Sequence, residues 1–192
     1  MNTRSVRIEI TGKTPLLIHA FTEPSQQAAT SGSAIVITGD RGTPREQAEA
    51  VLYKNEEGKC IMPQPNVFRC IIDAGKYFKN GKSKVTTIKS SIIPACLDLE
   101  GVYYLIKSKE GWDVDARPVR MPSTGGRILR YRPCFNDWSI SFEATLDLDM
   151  MGMKMLREIL DAAGSRIGLG DFRPDCKGCF GKFVVTSWKE AA

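Results

Sequence analysis

Between Gly164 and Lys182 the chain sets five glycines (164, 168, 170, 178 and 181) among Arg166, Arg173, Lys177 and Lys182. Glycine lets backbone approach a ligand closely, and amide groups flanked by cations make a concavity that suits an anion. The chemistry expected of this segment is electrostatic. The N–H groups of Gly168, Gly170, Gly178 and Gly181 would point at phosphates, and Arg166, Arg173, Lys177 and Lys182 would add charge. Two other stretches carry cations without acids: Lys76 to Lys89 holds lysines 76, 79, 82, 84 and 89 with Tyr77 and Phe78, and Arg117 to Arg132 holds arginines 117, 120, 127, 130 and 132 with Tyr131. Segregated positive charge with aromatics is the footprint of nucleic-acid backbone binding. It makes Lys82, Lys84, Arg127, Arg130 and Arg132 candidate contacts. The alternative for each run is a solvated loop. The incomplete alternation of Arg127, Arg130 and Arg132 with Ile128 and Tyr131 leaves one or two of them to face structure.

Other chemistries are poorly supplied. The cysteines at 60, 70, 96 and 134 lie mostly beside apolar residues, as buried thiols of a reducing compartment do, and only Cys176-Lys-Gly-Cys179 has a metal-ligand or redox spacing. Structural zinc takes about four ligands, and this chain has no second pair and a single histidine. No metal site or cofactor is therefore expected. Gly12-Lys13-Thr14 lacks the glycine spacing of a P-loop, and no Ser-His-Asp or dinucleotide fingerprint is present.

These groups must be held by ordinary globular structure. The 192 residues, 42 % of them apolar and 26 % charged with a net charge of +5, suit one compact domain over 1–192. No apolar run is long enough for a membrane helix and the N-terminus has no signal-peptide core, so no membrane partner and a cytoplasmic location are expected. Val6 to Ile10 alternates as a half-buried strand, and Leu16 to Phe21 resumes it after Thr11-Gly-Lys-Thr-Pro. Residues 22–50 read as a long excursion, and 79–132 contains further insertions. Pro63-Gln-Pro-Asn66 is expected to cap a helix over Val67 to Phe78. Ser91 to Leu97 and Tyr103 to Ile106 read as strands, and Asp113 to Met121 as an extended segment entering an arginine-rich loop. Trp138 to Leu146 alternates over nine residues and reads as a strand. An amphipathic helix over Met150 to Ala163 ends at Gly164, and Phe183 to Trp188 closes the chain as a strand. This order suits an α+β fold: a ferredoxin-like, RRM-like βαββαβ antiparallel sheet with helices on one face, decorated by insertions.

The first strand with Thr14-Pro-Leu-Leu-Ile-His19, the Ile61-Met-Pro-Gln-Pro-Asn-Val-Phe-Arg-Cys-Ile72 junction and the late Gly164-to-Lys182 loop resemble the RAMP superfamily of CRISPR-associated RNA-binding proteins. Within it the chain is most similar to the backbone subunit that polymerises along guide RNA. It is shorter than that subunit, and Lys177-Gly-Cys-Phe-Gly-Lys182 replaces a more purely Gly/Arg loop. The resemblance implies a partner of single-stranded RNA or DNA, contacts through Arg69 near the glycine loop, and self-association or assembly with CRISPR-like complex subunits. It also implies two alternatives: a RAMP-type endoribonuclease, with His19 or Asp40 as candidate catalytic residues, and a phage or mobile-element protein that mimics a CRISPR backbone subunit in protein contacts. His19 lies on strand spacing with Leu17, where a histidine is more often structural.

Overall fold

The computed structural model describes residues 2–21, 30, 42–120 and 125–190. Its centre is an antiparallel sheet in which β1 (Thr3–Gly12) lies between β11 (Phe183–Glu190) and β10 (Ser139–Asp147), with β6 (Leu97–Leu99) beyond β10. With the helices α2 (Gln64–Ala74) and α4 (Met153–Ala162), this is the ferredoxin-like βαββαβ path: β1, α2, β6, β10, α4, β11. The expected α+β class holds.

Alternation decides which face is covered. Val6, Ile8 and Ile10 of β1 and Ile140, Phe142, Ala144 and Leu146 of β10 are buried, and they pack with Cys70, Ile71 and Ala74 of α2 and Leu156, Ile159 and Leu160 of α4. The other face carries Ser5, Arg7, Glu9 and Thr11 beside Ser141, Glu143 and Thr145, pinned by Arg7–Glu143 and Ser5–Thr145 hydrogen bonds of 2.8 and 2.9 Å. Among the described residues it presents no aromatic ring from β1 or β10, so it lacks the stacking platform of an RRM-like reader.

The insertions fold more than their sequence suggests. Where an arginine-rich loop is expected, β8 (Asp113–Arg120) and β9 (Arg127–Phe135) pair over eight registered positions. The root of this hairpin joins the short β2 (Leu16–Leu17). Thus the expected Leu16-to-Phe21 strand is only two residues long and belongs to the hairpin's sheet rather than continuing β1. The strand expected from Ser91 is instead a short helix, α3 (Ile93–Cys96), leading into β6. Pro94 has no N–H to give a ladder and its fixed φ suits a first helical turn. The hydroxyl of Ser91 accepts the Ile93 N–H at 3.2 Å. Lysine-rich β4 (Lys79–Asn80) and β5 (Ser83–Lys84) make a tight hairpin, and β3 (Ile61–Pro63) pairs with β7 (Tyr103–Leu105). Within 22–50, α1 (Pro44–Ala50) begins at a Thr43–Glu46 capping box. No side chain caps α2: Pro63 stands at its N-cap, and Asn66 donates to the Met62 sulfur at 3.6 Å.

Candidate nucleic-acid interface

α4 runs into a π-helical turn, Ala163–Ile167, after which the glycine loop crosses beneath β2 and returns to β11. The glycines are required where backbones touch. Gly181 has φ +67° and a Cβ there would lie 1.8 Å from the Leu169 carbonyl oxygen; at Gly170, φ +73°, a Cβ would lie 2.2 Å from the Leu17 carbonyl oxygen. The Asp171 N–H donates to the Leu17 carbonyl at 2.7 Å, and the Gly181 N–H to the Pro15 carbonyl at 2.8 Å.

These contacts correct the expected anion cradle. The Gly168 N–H donates to the Ala163 carbonyl at 2.8 Å and the Gly178 N–H to the Arg173 carbonyl at 2.9 Å. With Gly181 also committed, three of the four amides are spent on the protein's own carbonyls. Gly170 is the member of the set whose N–H has no protein acceptor among the described residues.

Charge is likewise partly consumed. Arg132, expected as a ligand contact, is 6 % exposed and holds Asp171 at 2.6 Å and Asp115 at 3.7 Å, so it ties the β8–β9 hairpin to the glycine loop. Burial by itself would raise the Asp171 carboxyl pKa, but the Arg132 hydrogen bond, the Phe172 N–H and nearby positive charge outweigh it and hold the carboxyl below its usual range. Arg117 pairs with Asp115 at 2.7 Å and lies 4.6 Å over the ring of Phe180, which is buried and anchors the loop. Arg69 is exposed but forms an i,i+4 pair with Asp73 at 2.9 Å, and Arg173 donates to the Gly170 carbonyl at 3.2 Å. Arg166 lies 4.7 Å over the ring of Tyr77. Neither Asp115 nor Asp171 is singled out by the sequence, because acids brought to an arginine by strand pairing leave no local signal.

Other cations stay open. Lys79, Lys82, Lys84 and Lys89, Arg127 and Arg130, and Lys177 and Lys182 have no carboxylate partner among the described residues, and all but the half-buried Lys182 are exposed. Of the cations singled out from the sequence, those left open among the described residues lie on the lysine hairpin and the turn after it, the outer part of β9, and the glycine loop.

Between α2 and the glycine loop lies a cavity of about 280 Å³, whose lining includes His19, Tyr53, Asn66, Arg69, Asp171 and Arg173. His19 and Arg69 both line it together with Gly168, Gly170 and Asp171 of the glycine loop. His19 is exposed at the rim, not buried on a strand. Crowding lowers its pKa from the ordinary value, Arg130 and Arg132 push the same way, and Asp171 opposes them. Asp40 lies outside the described residues. Cys176 and Cys179 are both exposed, whereas Cys70, Cys96 and Cys134 are buried. Burial pushes the Cys134 thiol up to about 11.

The geometry defines a ferredoxin-like α+β protein whose insertions and late glycine loop carry exposed cations. No protein-family model and no curated protein matches the chain. Among solved structures it is similar to a chain of the cryo-EM structure of the Type III-B Cmr-beta bound to cognate target RNA, with a TM-score of 0.61 at 10 % sequence identity. The match covers 98 % of this chain and 60 % of that one, so this chain spans about 60 % of the other's length. At this identity the likeness shows the fold alone. No helix among the described residues is long and apolar enough to cross a membrane.

Proposed function

We propose that this chain is a non-catalytic protein that binds the backbone of single-stranded nucleic acid, RNA in preference to DNA, and that copies of it line up along the ligand as a CRISPR backbone-like subunit does. The observation that carries the reading is the set of unpaired cations on the lysine hairpin, outer β9 and glycine-loop tip, presented by a fold shared with a chain from an RNA-bound assembly. Flexible ammonium groups without a fixed fork recognise phosphate as charge and do not read bases, so recognition is of backbone and length. The polar, ring-free face of β1 and β10 supports the same conclusion. Titration of labelled oligouridylates of increasing length at several salt concentrations tests it. Affinity should rise with length and fall with salt; affinity indifferent to both overturns the reading.

A second reading has one specific observation behind it: the exposed imidazole of His19 stands near the Asp171 carboxylate at the rim of a cavity. A histidine kept neutral near pH 7 beside a carboxylate suits general acid–base cleavage of RNA. Incubating RNA with the wild type and with His19→Ala decides the matter, since absence of cleavage by both removes this reading.

A further inference from the structure

Ile88 is the most exposed large apolar side chain among the described residues, at 106 % of its reference area. Single exposed apolar residues are common on protein surfaces. This one differs in how it is held. The turn Thr87-Ile88-Lys89-Ser90 closes with the Thr87 N–H on the Ser90 carbonyl at 2.7 Å. The Thr87 hydroxyl donates to the same carbonyl at 3.1 Å and accepts the N–H groups of Ser90 and Lys89 at 3.1 and 3.3 Å.

The base of the turn is equally fixed. The hydroxyls of Thr86 and Ser91 meet at 2.8 Å, and Val85 and Ile93 on either side are buried. Gly75, at the end of α2, has no side chain to displace the Thr86 hydroxyl that packs on it. A β-branched residue is an unusual choice for a turn tip, where Gly, Asn, Asp, Pro and Ser dominate. The sequence thus spends a dense local hydrogen-bond set on holding an isoleucine rigidly in water.

Its surroundings name the partner. The turn borders an open groove of about 800 Å³ whose lining includes Arg69, Ile72, Lys76, Lys84 and Lys89. Asp73 also lines it and holds Arg69, and Asp175 holds Lys76, so the groove's open charge is that of Lys84 and Lys89, which have no acid partner among the described residues. An apolar knuckle between unpaired lysines suits a polyanion with exposed flat apolar faces, which is single-stranded nucleic acid. We infer that the 87–90 turn is a wedge: Ile88 enters between two adjacent bases of a bound strand while Lys84 and Lys89 hold the flanking phosphates. Apolar side chains that separate base steps work in this way, and the lysines supply most of the affinity. The inference rests on the nucleic-acid reading above and adds a residue that senses the stack itself.

The test uses the full chain and a short single-stranded oligoribonucleotide with 2-aminopurine between adenines, whose emission rises when it is unstacked. Binding is followed separately by anisotropy of an end label. The wild type should raise the emission at saturation roughly twofold or more. Ile88→Ser, a change at a fully exposed position, should abolish that rise while weakening affinity about fivefold. Lys84→Ala with Lys89→Ala should weaken affinity further and leave the saturated emission unchanged. Equal emission from the wild type and Ile88→Ser at saturation overturns the wedge and leaves nucleic-acid binding standing. No anisotropy change for the wild type overturns both. Sedimentation showing that Ile88→Ser dissolves a protein-only assembly, with the emission rise intact, would assign the knuckle to protein contact and overturn the inference.

Discussion

The glycine loop and the lysine hairpin look alike in composition, yet the fold uses them in opposite ways. In the loop, three glycine amides are donated to protein carbonyls, and Arg173 reaches the Gly170 carbonyl. In the hairpin and the turn after it, Lys79, Lys82, Lys84 and Lys89 lie exposed with no carboxylate partner among the described residues. A basic, glycine-rich sequence therefore specifies closeness of backbones as readily as it specifies a ligand. The loop's amides serve the fold, whereas the lysines remain available for the contact proposed above.

That contrast is broken most severely at Gly181. With φ +67° and the Leu169 carbonyl against it, Gly181→Ala should lower stability by about 4 kcal/mol, measured by urea unfolding. A fully stable variant that binds nucleic acid poorly would instead return the loop to the ligand. Next is Arg132, whose loss takes from Asp171 its arginine partner at the hairpin root, while Asp115 keeps Arg117. Arg132→Ala should cost about 3 kcal/mol in the same assay, with affinity per folded molecule little changed.

Changing Lys79, Lys82, Lys84 and Lys89 together to alanine should leave the unfolding midpoint within about 0.5 kcal/mol equivalents, as exposed unpaired residues do, and reduce affinity roughly a hundredfold at low salt. Lys177→Ala, at the exposed loop tip, should weaken binding only about twofold to threefold. Smallest is the acid limb. Because Asp171 is held below its usual carboxylate range when folded, its contribution is present above the unfolded-state pKa and fades as pH falls through the folded value. Asp171→Asn should therefore flatten the loss of stability below about pH 4, seen as a smaller drop in melting temperature on acidification.

Much of the fold is legible in local pattern. The alternation of Ser139–Asp147 and Thr3–Gly12, and the helical spacing before and after them, identify the βαββαβ path because one face of each element must be apolar. Less local decisions are not legible. Whether Arg132 meets a phosphate or Asp171 depends on a partner 39 residues away brought in by the hairpin. Whether Gly178 offers its N–H depends on the turn that returns it to Arg173. The 91–97 segment misleads because Ile92, Ile93 and Leu97 read as strand, while Pro94 and the Ser91 hydroxyl favour a helical turn. Arg69 beside the glycine loop, by contrast, is an expectation of the family resemblance carried by the Ile61-to-Ile72 junction, not of residue spacing.

The central claim is that a single strand's phosphates lie on the lysine hairpin. The direct measurement is the salt dependence of affinity for one oligouridylate, compared between the wild type and the variant lacking Lys79, Lys82, Lys84 and Lys89. Binding should weaken linearly in log salt for the wild type, and the variant's slope should be shallower by about 3, four phosphate contacts at about 0.7 each. An identical slope in the two proteins, or no salt dependence in either, would contradict the account.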